Sequence, residues 1–524
     1  MRRGLVIGML GICLLCGGSA LAQQPRSVIP WLSQILTNRS QPADDTLQSG
    51  PTGAVTPFSP STIEVSGLDD PIRNGAGLIA PEASGLPSDL WRGASALRVR
   101  GLLLSSRPSG VPAARALFRD ILLAQTEPPA GSGPENRVLL ARIDVLMDSG
   151  MLAEAEDLLT TGNIIDAPLF RRAFDLGLLT GRSDERCKQL RDSPALSPTL
   201  PARVYCLARL GDWPAAALTL NLGREVGSIS AAEEELLARF LDPGGFEGLP
   251  ELAVTRPLTT LNFVLREAVA LPRPTTTLPL AFLAVDTVEN SPLRDQIQSK
   301  ERLVREGAIP AESLFESYRD GTPAASGGVW DRMAAVRELD RAFATQDPAA
   351  VARILPGIDA QFAGLRLRSA LAEIYARQLA ALPFDGMQTD SRVLIAELLL
   401  LAGERERALE MLPVSNDAVS NFLRALAARS ESFPSTEALS PLKTAVALGL
   451  STVEPRSEAS RELQRALDQG QVGVVLIRTL DLLSAGVEVD PGDLTDALYL
   501  LRRAGQEDVA WQVATETLLL LPEA

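Results

Sequence analysis

The chain has 524 residues, a formal net charge of −15 and no histidine. The acidic balance excludes a nucleic-acid surface, because no basic stripe stands ready to neutralise phosphates. The missing imidazole removes Ser-His-Asp and Cys-His catalysis, histidine-based zinc or haem sites and the ordinary pH switch at one stroke.

The chain opens MRRGLVIGMLGICLLCGGSALAQQ, with Arg2 and Arg3 before an apolar core that ends in Ala20-Leu21-Ala22. This reads as a secretory signal peptide over residues 1–22, with cleavage expected after Ala22 and a periplasmic mature chain. An uncleaved anchor is the rival, since the apolar stretch nears the lower spanning limit. A lipoprotein at Cys16 is the other, although Leu15 before it is larger than the usual small residue. Later apolar runs are interrupted, VGVVLIRTLDLLSAG by Arg478 and Asp481 and LIAELLLLAG by Glu397, so no stable membrane insertion is expected after cleavage. Residues 23–86 are rich in Pro, Ser, Gly and Thr and are expected to be disordered. One apolar island within them, Val28 to Leu36 with Trp31, is suited to docking on the chain's own helices or on a partner.

A first helical-repeat block is expected over 87–245, starting near Pro87-Ser88-Asp89 and continuing through LWRGASALRVRGLLL. Glycines at 150, 181 and 211 follow, 31 and 30 residues apart. Each lies at a turn between apolar helical stretches, where glycine supplies the positive φ that ends a helix. Ala155 and Ala216, five residues on, let the next helix pack close, while the middle copy has Arg186 in that place. Cys187 and Cys206 lie on adjacent helices on either side of DSPALSPTLP, nearly equidistant from the loop, which predicts a disulfide in an oxidising compartment. Ser230 to Glu233 forms a capping box, and the pattern breaks at Asp242-Pro243-Gly244-Gly245.

Residues 246–330 read as an irregular helical middle, with helix starts at Pro257, Pro279 and Ser291-Pro292 and a break at ASGGVW, which ends in Trp330. A second repeat block is expected over 331–524. There Asp347-Pro348, Ser440-Pro441 and Asp490-Pro491 read as N-caps followed by proline at the first helical position. Gly403/Ala408, Gly470 and Gly505/Ala510 continue the turn pattern. Strand signals are nearly absent, so the expected fold is all-α, an α-solenoid of degenerate helical hairpins stacked because none buries its apolar face alone.

The G-x-x-x-x-A turn, with Leu152 or Trp213 two residues after the glycine, resembles the tetratricopeptide repeat over about a third of the chain. The segments IPWLS, LFRRAFDLGLLTG, PARVYCLARLGDW, LARFLDP and AASGGVWDR resemble a group of uncharacterised exported bacterial proteins. Some of those carry an antifreeze-glycopeptide label, which implies regular Ala-Ala-Thr repeats that this chain lacks.

Catalytic patterns are incomplete. Glu316-Ser317 in LFESYRDG matches the Glu-Ser pair of lytic transglycosylases, but Gly386-Met387-Gln388 lies far downstream of it. Ser440 to Lys443 matches S-x-x-K, yet Lys443 is followed by Thr-Ala, and an N-cap accounts for Ser440. Asp490, Asp493 and Asp496 lack EF-hand spacing and suit a first helical turn. No catalytic, cofactor or metal residue is therefore assigned. The expected function is a periplasmic scaffold or adaptor that binds a protein or peptide, with Trp31, Trp91, Trp213, Trp330 and Trp511 either on the partner surface or in the core. The alternatives are a peptidoglycan-active enzyme or its accessory subunit, acting through Glu316, and a structural envelope component. Leu518 to Leu521 form the core face of the last helix or an exposed edge.

Overall fold

The computed structural model describes residues 73–520 except 107–109, 162–165, 247–250, 255, 274–277, 288–290, 324, 384, 415–417, 431, 434–439, 452–453 and 456. The signal-peptide segment, Trp31 with its island, and Leu521 lie outside the described residues. All described residues belong to one unit that begins at Gly53. Among them the architecture is all-α, and the only extended pairings are the isolated bridges Ile79 to Ala124 and Ser95 to Ala130.

The hairpins form where glycine predicts them. Gly150 joins Arg137–Asp148 to Leu152–Thr161, Gly181 joins Ala167–Leu179 to Ser183–Asp192, and Gly211 joins Leu200–Arg209 to Trp213–Glu225. Gly403, Gly470 and Gly505 do the same for Thr389–Leu401, Glu458–Asp468 and Pro491–Arg503 with the helices that follow them. All six have φ between +76° and +87°. Ala155, Ala216, Ala408 and Ala510 are fully buried, which is the close helix approach their size permits. Caps fix the starts. Asp347, Ser440 and Asp490 each accept a backbone N–H of the first turn ahead of a proline, and Ser230 with Glu233 completes a reciprocal capping box.

Several boundaries depart from the sequence reading. Order is already present at residues 73–86, within the stretch expected to be disordered. Asn74 is buried and its Oδ1 accepts the N–H of Val138 at 2.8 Å. The buried Arg142 guanidinium donates to the carbonyls of Ala76, Leu122 and Ala124, and such polar ties are invisible to composition. The first long helix is Ala96–Ser105, capped by Ser95, instead of one starting at Pro87. The helix expected at Pro257 starts at Thr260, where the Thr259 side chain accepts the N–H of Asn262.

The irregular middle does not form a block of its own. Its first part, Thr260–Ala268 and the 3-10 segment Leu280–Thr287, packs on Ala167–Leu179. Its second part shares a core with the chain beyond residue 330: Ile297, Phe315, Tyr318, Phe362, Tyr375, Leu399 and Leu519 belong to one buried cluster. Glycine turns also undercount the hairpins. Gln346 at φ +52° links Val329–Ala344 to Pro348–Gly364, and Arg366 at φ +58° links that helix to Arg368–Ala380.

The array closes on itself. The last helix, Glu507–Leu519, packs on Pro112–Leu123 and on Thr389–Leu401, and Val472–Leu482 packs on Ala96–Ser105 and Pro112–Leu123. At this seam Gly473 donates its N–H to the Leu90 carbonyl at 2.9 Å beneath the Trp91 ring. Glu516 Oε2 accepts the Ala113 N–H at 2.7 Å.

Candidate functional site

The sequence-derived residues separate into structural and exposed groups. Cys187 and Cys206 form a disulfide between Ser183–Asp192 and Leu200–Arg209, and both are buried. The short Pro194–Leu196 turn brings the two helices side by side. Trp91 is buried in the seam. Trp511 is buried as well, stacked on Phe433 with its Nε1–H donated to Glu507 at 2.8 Å. Burial withdraws both from a partner surface, whereas Trp213 and Trp330 are half-buried. Leu519 lies in the core and Leu520 packs against it, so this end of the leucine run is a core face.

The rejected catalytic patterns have local explanations. Glu316 is exposed on Ala311–Asp320. The Ser440 hydroxyl caps its helix by accepting the Lys443 N–H. Asp490 is engaged with Gly492 and Asp493 N–H groups, while the buried Asp496 accepts the Ser457 N–H at 3.2 Å. The acidic trio therefore spreads over separate tasks. One further pair, Lys300 Nζ at 2.8 Å from Ser317 Oγ, has the atoms of a Ser-Lys dyad, and burial pushes the ammonium down. The same ammonium also donates to the Ser313 carbonyl, so the pair fastens two helices together.

A cavity of about 900 Å³ lies where the blocks meet. One wall is the face Pro356, Asp359, Ala360, Ala363 of Pro348–Gly364. A second is the face Asp390, Val393, Leu394, Glu397 of Thr389–Leu401. Both show the i, i+3, i+4, i+7 spacing that aligns side chains on one side of a helix. Arg305 and Glu306 enter from the end of Leu293–Arg305, and the seam supplies Pro112 and Arg115 on one side and Gly486 to Glu488 on the other. At the seam the loops meet backbone to backbone: a Cβ on Gly486 would lie 3.0 Å from the Gly110 Cα.

Two buried arginines hold these walls. Arg368 donates to Asp359 and Glu397, at 2.7 Å each, and to the Leu519 carbonyl at 2.6 Å. Burial alone would lower this guanidinium, and the two carboxylates hold it up. Arg115 stands 3.8 Å from Glu306, which also pairs with Arg305 at 3.2 Å. Burial lowers Arg115, against the attraction of Glu306 and Glu516.

Three other charges of the lining, Arg366, Asp390 and Glu488, are exposed and have neither an ion pair nor a side-chain hydrogen bond among the described residues. None of the three was singled out from sequence, because no local motif brings them together. The helical spacing of polar and small residues at 356–363 and 390–397 is the signal that was there to read. Comparison with protein families, with curated proteins and with solved structures finds no match.

Proposed function

We propose that the chain is an exported, non-catalytic binding protein that takes a protein or peptide in this cavity. The observation that carries the reading is the set of uncommitted charges lining a cavity to which the seam, the end of Leu293–Arg305 and the helices Pro348–Gly364 and Thr389–Leu401 contribute. Structural ion pairs are satisfied within the fold, whereas charges left open in a concavity with apolar walls are what a ligand site offers. Export is supported by the signal-like N-terminus and by the disulfide, which persists in an oxidising compartment. No helix among the described residues is long and apolar enough to cross a membrane.

The test is site-specific photo-crosslinking in intact cells. A photoreactive residue at Ala360, exposed on the cavity wall, should give a discrete adduct. The same residue at Leu218, exposed but outside the cavity, should give none. Unmodified protein at Ala360 across growth conditions would remove the proposal.

A further inference from the structure

We propose that the cavity binds a short zwitterionic peptide, with its carboxylate on Arg366 and its ammonium on Asp390 and Glu488. This names the ligand class for the binding reading above and rests on it.

The charge inventory carries the inference. The lining holds four guanidinium groups, of Arg115, Arg305, Arg366 and Arg368, against five carboxylates, of Glu306, Asp359, Asp390, Glu397 and Glu488. Arg368 is committed to Asp359 and Glu397, and Arg115 and Arg305 to Glu306. One cation and two anions remain. A polyanion would meet only Arg366 and two repelling carboxylates, and a simple cation would leave Arg366 unused. A ligand with one carboxylate and an amino group answers both signs.

Ala360, Ala363 and Gly364 leave room for a peptide backbone, while Val393 and Leu394 offer apolar contact. A cavity near 900 Å³ is within the range that encloses ligands of roughly this size.

Calorimetry with trialanine as the probe, on the disulfide-bonded protein, tests the assignment end by end. Trialanine with free termini should bind, and acetylating the amine or amidating the carboxylate should each weaken binding about tenfold, the factor equivalent to one modest ion pair. Arg366→Gln should abolish the penalty for amidation and keep the penalty for acetylation. Asp390→Asn with Glu488→Gln should do the reverse. All three positions are exposed, so the variants should fold. Ala363→Trp, on an exposed wall, should abolish binding with an unchanged circular-dichroism melt.

Equal binding of free and blocked peptides, or discrimination that survives Arg366→Gln, overturns the proposal. Should trialanine fail to bind at millimolar concentration while Ala360 still crosslinks a partner, the ligand class falls and the binding reading stands. Failure of both removes both.

Discussion

Gly403 and Gly150 hold nearly the same backbone conformation, φ +81° and +77°, in different surroundings. An added Cβ at Gly403 meets nothing within 4 Å, whereas at Gly150 it lies 3.2 Å from Ala308, Leu280 and Leu303 side chains. Gly403→Ala should therefore cost only the left-handed backbone penalty, about 1 kcal/mol. Gly150→Ala should cost that plus overpacking, roughly 2–4 kcal/mol together. The urea midpoint followed by circular dichroism separates the two, and equal losses would show that the contact around Gly150 is soft. Gln346, at φ +52°, is exposed in the corresponding turn between Val329–Ala344 and Pro348–Gly364. Gln346→Gly relieves the same conformation and should raise stability by about 0.5–1 kcal/mol in that assay. These residues also show what the sequence could reveal. A glycine marks its turn openly, but at Gln346 and Arg366 the hydrogen bonding and packing of the flanking helices force the left-handed region on a residue that carries no mark of it. The hairpins at 329–380 were legible only as helices.

The disulfide hairpin and the last helix are elements whose stability depends on chemistry beyond apolar periodicity. Cys187 and Cys206 close a loop with a sequence separation of 19. Replacing both by alanine should cost about 3 kcal/mol in the chain-entropy picture. The native protein should take up no alkylating label before reduction and two labels on these cysteines after it. Spacing across a proline-rich loop made that pair readable. Glu516 was not readable, because its surroundings come from residues some 400 positions away. Burial raises this carboxyl to about 7 from its ordinary 4.5, against the opposing pull of the Ala113 N–H, Gln512 and Arg115. Folding thus favours the protonated form. The stabilising contribution is complete below pH 4.5 and is lost as pH rises through 7, leaving a buried anion in the seam. Glu516→Gln keeps the oxygen that accepts the Ala113 N–H and removes the titration. The melting temperature of this variant, relative to the native protein, should climb between pH 5 and pH 8. Asp175, which burial raises to about 6, slopes the same way in both proteins and cancels in that difference. A difference independent of pH would mean that Glu516 is hydrated in solution.

At the scale of the whole unit, closure distinguishes this array from an open solenoid. In an open stack each hairpin contacts only its neighbours, and losing the last one costs a single interface. Here Glu507–Leu519 is held on two sides. Glu516 receives the Ala113 N–H, while Gln512 donates to the Leu401 carbonyl at 2.8 Å and Arg368 to that of Leu519. Residues 472–519 also line part of the cavity, so the site exists only when the two ends meet. Helix periodicity and turn chemistry are local, and they recovered the all-α class, the six glycine-turn hairpins and the caps at Ser230, Asp347, Ser440 and Asp490. Closure is written in which faces are complementary across the chain, for instance Gly473 beneath Trp91, where a Cβ would come within 2.8 Å of the ring. No window of sequence contains both partners. Deleting residues 507–524 should therefore act at a distance. Amide hydrogen exchange should rise in Pro112–Leu123, which loses its cover, and in Ala96–Ser105, whose packing on Val472–Leu482 loses the support of the adjoining seam. It should rise in Thr389–Leu401 as well. Trp213–Glu225, remote from the seam and stabilised by its own hairpin, should keep its protection. If exchange changes only in Pro491–Arg503, the immediate neighbour in sequence, the array is open in solution and the cavity has no fixed wall on that side.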